Sequence, residues 1–79
     1  MNEEYILKRI EEVFQEVLEI KNFNEDLSME VVPEWDSLKH LQLLVAVEKT
    51  FGIEIEFQKS LKMTSVKGMT EIISYYINK

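Results

Sequence analysis

Apolar residues return every three or four positions over residues 3–20, at Ile6, Ile10, Val13 and Val17, with Leu7, Phe14 and Leu18 beside them. That spacing lays one apolar stripe along a helix, with Glu11, Glu12, Glu16 and Glu19 largely on the opposite side. Asn2 is the expected N-cap, and Glu3 and Glu4 sit well against the positive end of the helix dipole. The acidic outer side marks the stripe as core and not as a membrane-binding face, which anionic lipid would repel. Residues 65–78 repeat the pattern, with Val66, Met69, Ile72, Ile73, Tyr76 and Ile77 on the stripe and Thr64 or Ser65 as the cap. Gly68 falls in the first turn of this helix, where it costs up to about 1 kcal/mol against Ala. The Tyr75 hydroxyl is expected to stay in water.

A third helix is predicted over residues 37–51, and its pattern is different. Leu38, Leu41, Leu43, Leu44, Val45, Val47 and Phe51 point in nearly every direction around a 3.6-residue spiral, which predicts a helix in the middle of a small bundle. Pro33 and the pair Asp36-Ser37 mark its start, and Gly52, tolerant of the left-handed conformation, marks its end. Lys39, Gln42 and Lys49 are expected to face solvent. Asn22, Asn24, Ser28 and Pro33 break helix periodicity over residues 21–36, a long connection that Phe23, Leu27, Val31 and Val32 should pin to the bundle. Ile53, Ile55 and Phe57 alternate with Glu54 and Glu56, but a lone strand is unstable, so the segment reads as a loop with its apolar side inward. Residues 58–63 then form a short helix with Leu61 and Met63 inward. The predicted fold is all-α: a single domain over residues 1–79, a small four-helix bundle of three main helices and one short one, with a long loop between the first two.

Composition narrows the function classes. The chain has 79 residues, near the lower size at which an apolar core alone suffices, and 46% of them are hydrophobic. It has no Cys, so it has no disulfide framework, thiolate metal site or cysteine nucleophile, and one His without Cys makes no zinc site. No basic segment followed by an apolar run opens the chain, and no stretch approaches about 20 apolar residues, so we expect a cytoplasmic protein without a membrane span. The net charge of −6 is uneven: eleven acids against three bases through Asp36 give −8, and the remainder carries +2. An acidic chain repels phosphate backbones, which makes nucleic acid a poor partner and proteins the better one.

Candidate chemistry gathers at the start of the second helix. Asp36, Ser37 and His40 lie close enough to suggest a hydrolase, but no second His, nucleophile elbow or glycine-rich loop supplies a base-orienting group or an oxyanion hole, so no catalytic residue is assigned. A Ser held at a helix N-terminus also suits a negative substituent on its Oγ, because backbone N–H groups and the dipole favour anions there. The plainer reading makes Ser37 an N-cap and nothing more.

Asp36-Ser37-Leu38, then an apolar helix with Glu48, then Phe51-Gly52-Ile53-Glu54-Ile55, resembles the acyl carrier protein family. Glu25-Asp26-Leu27 looks like that family's loop before the modified Ser, and Ser65-Val66 opens the last helix as its Thr-Val does. The resemblance implies a non-catalytic carrier whose Ser37 bears 4′-phosphopantetheine, donated by coenzyme A through a phosphopantetheinyl transferase. It implies acyl cargo held as a thioester and shown to acyl-loading and acyl-processing enzymes of fatty acid, polyketide or related biosynthesis, by a monomer. Asp36, Leu38 and Glu48 would serve transferase and partner recognition, and an acyl cleft beside the second helix would draw on Phe51, Ile55, Met63 and Met69. Trp35 either covers the bundle end and fixes the start of the second helix, as preferred here, or lines the path of the arm. His40 is either an exposed helix residue or, when protonated, a contact to the prosthetic phosphate. The chain departs from the family along the second helix, where Asp36 to Phe51 carry no formal net charge, and at Phe57, where the family more often has Pro. The first departure points away from the general fatty acid synthase and toward a more particular set of partners. A peptidyl or aminoacyl carrier of the same fold, or an unmodified helical interaction module, are the alternatives.

Overall fold

In the structure, a computed structural model that describes residues 2–78, four helices follow in order: α1 (Glu3–Leu18), α2 (Ser37–Phe51), α3 (Phe57–Ser60) and α4 (Val66–Ile77). The fold is the all-α bundle that the periodicity predicts. Among the described residues, no helix is long and apolar enough to cross a membrane.

The ends of the helices follow from local chemistry. The Asn2 side chain accepts the Tyr5 N–H at 2.8 Å and opens α1. That helix stops at Leu18, two residues before the expected end, because Glu19 turns left-handed (φ 55°) and gives its N–H to the Gln15 carbonyl. The turn lets Ile20 and Phe23 fold back onto the core. Gly52 (φ 66°) closes α2 at the predicted place. Ser65, not Thr64, caps α4, its hydroxyl accepting the Gly68 N–H at 3.0 Å.

The core is built around α1, with α2 and α4 both packed on it. Ile6, Ile10, Val13, Phe14 and Leu18 of α1 meet Leu43 and Val47 of α2 and Val66, Met69 and Ile73 of α4. Burial of each such side chain contributes on the order of 1.5–3 kcal/mol. This corrects the expectation that α2 occupies the middle. Only Leu43 and Val47 of α2 are fully buried, and Leu38, Leu41 and Val45 are exposed. The reason is geometric: α3, the element beside them, has four residues and cannot cover a fifteen-residue helix.

The short segments also differ from expectation. The third helix begins at Phe57 and ends at Ser60; Met63 is buried as expected, but Leu61 is exposed, as is Phe57. Once the chain leaves the helix at Ser60, Leu61 falls on the outer side of the turn that sends Met63 inward. Ile53 and Ile55 pack on the core as predicted. In the long loop Val32 is buried and Phe23 and Leu27 are half-buried, but Val31 is exposed. The backbone holds the loop as well: Met29 N–H donates to the Thr64 carbonyl and Val66 N–H to the Leu27 carbonyl, both at 2.9 Å, tying it to the start of α4.

Candidate functional site: the first turn of α2

Ser37 is the first residue of α2 and is exposed. The cap is Asp36, whose carboxylate accepts the Lys39 N–H at 2.8 Å while its carbonyl accepts the His40 N–H at 2.8 Å. The reading of Ser37 as merely the N-cap is therefore corrected. Asp36 satisfies one first-turn N–H with its side chain, which leaves the Ser37 and Leu38 N–H groups without intrahelical acceptors and the Ser37 hydroxyl outside the capping interaction.

Trp35, just before the cap, is buried at 2% exposure and meets Phe14 edge to face, ring centroids 5.0 Å apart. The ring lies in the core, a position that suits the structural reading of Trp35. A buried indole needs an acceptor for its N–H, and Trp35 Nε1 finds one in Nδ1 of His40 at 3.1 Å. The other ring nitrogen, Nε2, lies 3.1 Å from the Ser60 carbonyl at the end of α3. An indole N–H only donates and a carbonyl only accepts, so the arrangement fixes His40 as the neutral ring with its hydrogen on Nε2.

That corrects both expectations for His40. It is half-buried, not exposed, and neither nitrogen is free to meet a phosphate or to take a proton from Ser37. The i, i+3 neighbourhood of Ser37 and His40 suggested otherwise, but the imidazole turns inward to serve Trp35. Ser60, only 3% exposed, was not singled out from the sequence; nothing in a periodic pattern reports that its carbonyl would face another helix.

The remaining site residues divide by exposure. Leu38 is exposed beside Ser37, as recognition would require. Glu48 is half-buried, and its carboxylate accepts the Ile55 N–H at 2.9 Å, so it braces the chain after Gly52 instead of standing free in solvent. Lys39 is drawn toward α1, where its ammonium donates to the Val17 carbonyl at 3.3 Å, while Gln42 and Lys49 face water as predicted.

Leu41 and Val45 form a ridge with a groove on either side. Toward α3 lies a groove of about 240 Å³ whose walls include Leu44, Glu48, Ile55 and Phe57. Toward α1 lies one of about 430 Å³ along Val17, Gln42 and Ala46. Of the four residues expected to line an acyl cleft, Ile55 borders the first groove and Phe51 is half-buried against the core. Met63 and Met69 are fully buried and pack as core. Among the described residues, no group of three His, Asp or Glu is placed to hold a metal ion. A scan against protein-family models finds no match to this chain, and a search of curated proteins finds none either.

Proposed function

We propose that this protein is a carrier whose Ser37 is esterified by 4′-phosphopantetheine and which presents acyl groups to partner enzymes. The observation that carries the reading is the state of Ser37: an exposed hydroxyl at the first position of a rigid helix, released from capping duty by Asp36. The residues present fit the group. The hydroxyl gives an attachment point, and the uncapped N–H groups of Ser37 and Leu38 at the positive end of α2 favour the anionic phosphodiester. When bound, the arm supplies a terminal thiol that holds the acyl group as a thioester.

In the attachment step Ser37 Oγ forms a bond to the phosphorus that bears the pantetheine half of coenzyme A. The bond from that phosphorus to the bridging pyrophosphate oxygen breaks, adenosine 3′,5′-bisphosphate leaves, and the serine proton passes to the transferase. This chain supplies the nucleophile's position and the surface around it, where Leu38, Leu41 and Val45 stand exposed in one row along α2. Exposed apolar groups in such a row mark contact surfaces.

The test is incubation with coenzyme A, Mg²⁺ and a permissive phosphopantetheinyl transferase, followed by intact mass. Wild type gains one phosphopantetheine and Ser37→Ala gains none. A wild type that keeps its unmodified mass with every broad-specificity transferase refutes the reading. Loading with acyl against aminoacyl donors then separates an acyl carrier from an aminoacyl one.

A further inference from the structure

We infer that His40 is a positioning residue for the modification of Ser37, acting through Trp35 and Ser60; the inference rests on the carrier reading above. One side-chain bond, added to the first backbone bond of α2, closes a small loop of chain around Ser37. The Trp35 indole is tied to the His40 ring, and the His40 N–H is tied to the Asp36 carbonyl. Residues 35–40 are thus clasped at both ends, with Ser37 inside the clasp. The indole is itself immobilised, buried in the core against Phe14, so the clasp is anchored to α1 and not to solvent.

The second imidazole nitrogen extends the device to α3. Its bond to the Ser60 carbonyl sets the distance from the Ser37 turn to the exposed Phe57 and Leu61. Just before α3, Glu48 of α2 adds a second tie by accepting the Ile55 N–H at 2.9 Å. Further ties run to α4: Glu56 N–H donates to the Tyr76 hydroxyl at 3.0 Å, and the Lys59 ammonium lies 4.6 Å from the Tyr75 ring centroid. A transferase that touches α2 and α3 together meets a shape whose spacing the His40 imidazole helps to set, at the end of α3 nearest Ser60.

The test compares His40→Phe, His40→Gln and Trp35→Phe as phosphopantetheine acceptors, at a temperature where circular dichroism shows each fully folded. Phe at position 40 keeps a ring against Trp35 and removes both hydrogen bonds; Phe at position 35 keeps the packing on Phe14 and removes the indole donor. His40→Phe raises KM for the carrier about tenfold and changes kcat less than about twofold, because the encounter surface is displaced and the chemistry belongs to the transferase. Trp35→Phe gives a smaller rise in KM, the double variant is no worse than His40→Phe alone, and His40→Gln, able to remake one of the two bonds, falls between. In wild type, nitrogen-15 shifts of the His40 ring report hydrogen on Nε2 and a bare Nδ1.

Equal kcat/KM for His40→Phe and wild type overturns the inference while leaving the carrier reading intact. So does additive damage in the double variant, or a loss confined to kcat. A wild type that accepts no phosphopantetheine overturns both.

Discussion

Replacing Gly68 by Ala tests how the connection between α3 and α4 is packed. Helix propensity alone says the change helps: Ala is favoured over Gly by about 1 kcal/mol inside a helix. The structure reverses the sign. A Cβ at position 68 would lie 2.6 Å from the Lys62 carbonyl oxygen and 3.1 Å from the Ser65 hydroxyl. The first contact is with backbone, which cannot rotate away. Lys62 is held by its N–H bond to the Lys59 carbonyl, and the next residue, Met63, is fully buried, so moving that carbonyl disturbs the core. The second contact is with the α4 cap itself, and displacing it weakens the bond to the residue 68 N–H. Overpacking of this kind costs about 1–3 kcal/mol and a lost cap about 1 kcal/mol, which together exceed the propensity gain. The net destabilisation is about 1–3 kcal/mol, or some 4–8 °C in Tm for each kcal/mol in a domain of this size. Thermal melting followed by circular dichroism measures it. Gly52→Ala serves as a contrast, since at φ 66° nothing lies within 4 Å of the added carbon and only the left-handed backbone, about 1–2 kcal/mol, is penalised. A Gly68→Ala protein that melts at or above the wild-type temperature refutes the reasoning.

Three further outcomes follow from the α2 geometry. Ser37→Ala changes stability by less than about 0.5 kcal/mol in urea titration, because its hydroxyl is not the cap. Asp36→Ala, which removes the acceptor for the Lys39 N–H, costs about 1 kcal/mol in the same assay. Leu43→Ala, at a fully buried position, costs about 2–5 kcal/mol, whereas Val45→Ala, on the exposed ridge, stays within about 0.5 kcal/mol.

Much of the molecule was legible from residue order alone. The three long helices, the Asp36 and Gly52 boundaries and the core stripes of α1 and α4 all follow from periodicity and capping chemistry, which act within a few residues. The misplacement of α2 has a specific cause. A sequence that is apolar on most sides does not say which side will find a neighbour, and the answer depended on the length of α3. Leu61 and Phe57 were misjudged because a four-residue helix is too short for a period to be read. The Trp35–His40–Ser60 contact lay out of reach for another reason. It joins residues five apart around a cap and then a residue twenty further on, through a polar atom of the backbone, and no side-chain pattern encodes that. Glu48 was given a recognition role by the resemblance alone, and only the fold brought the Ile55 N–H to it.

Trp35 is the chain's one tryptophan, and it lies two residues from the hydroxyl proposed for modification, in hydrogen-bond contact with an imidazole. The molecule thus carries a native fluorophore at the place of greatest interest. Changes in its emission would register any disturbance of the α2 start without a dye or label, so that docking of an enzyme there can be followed in real time in plain buffer.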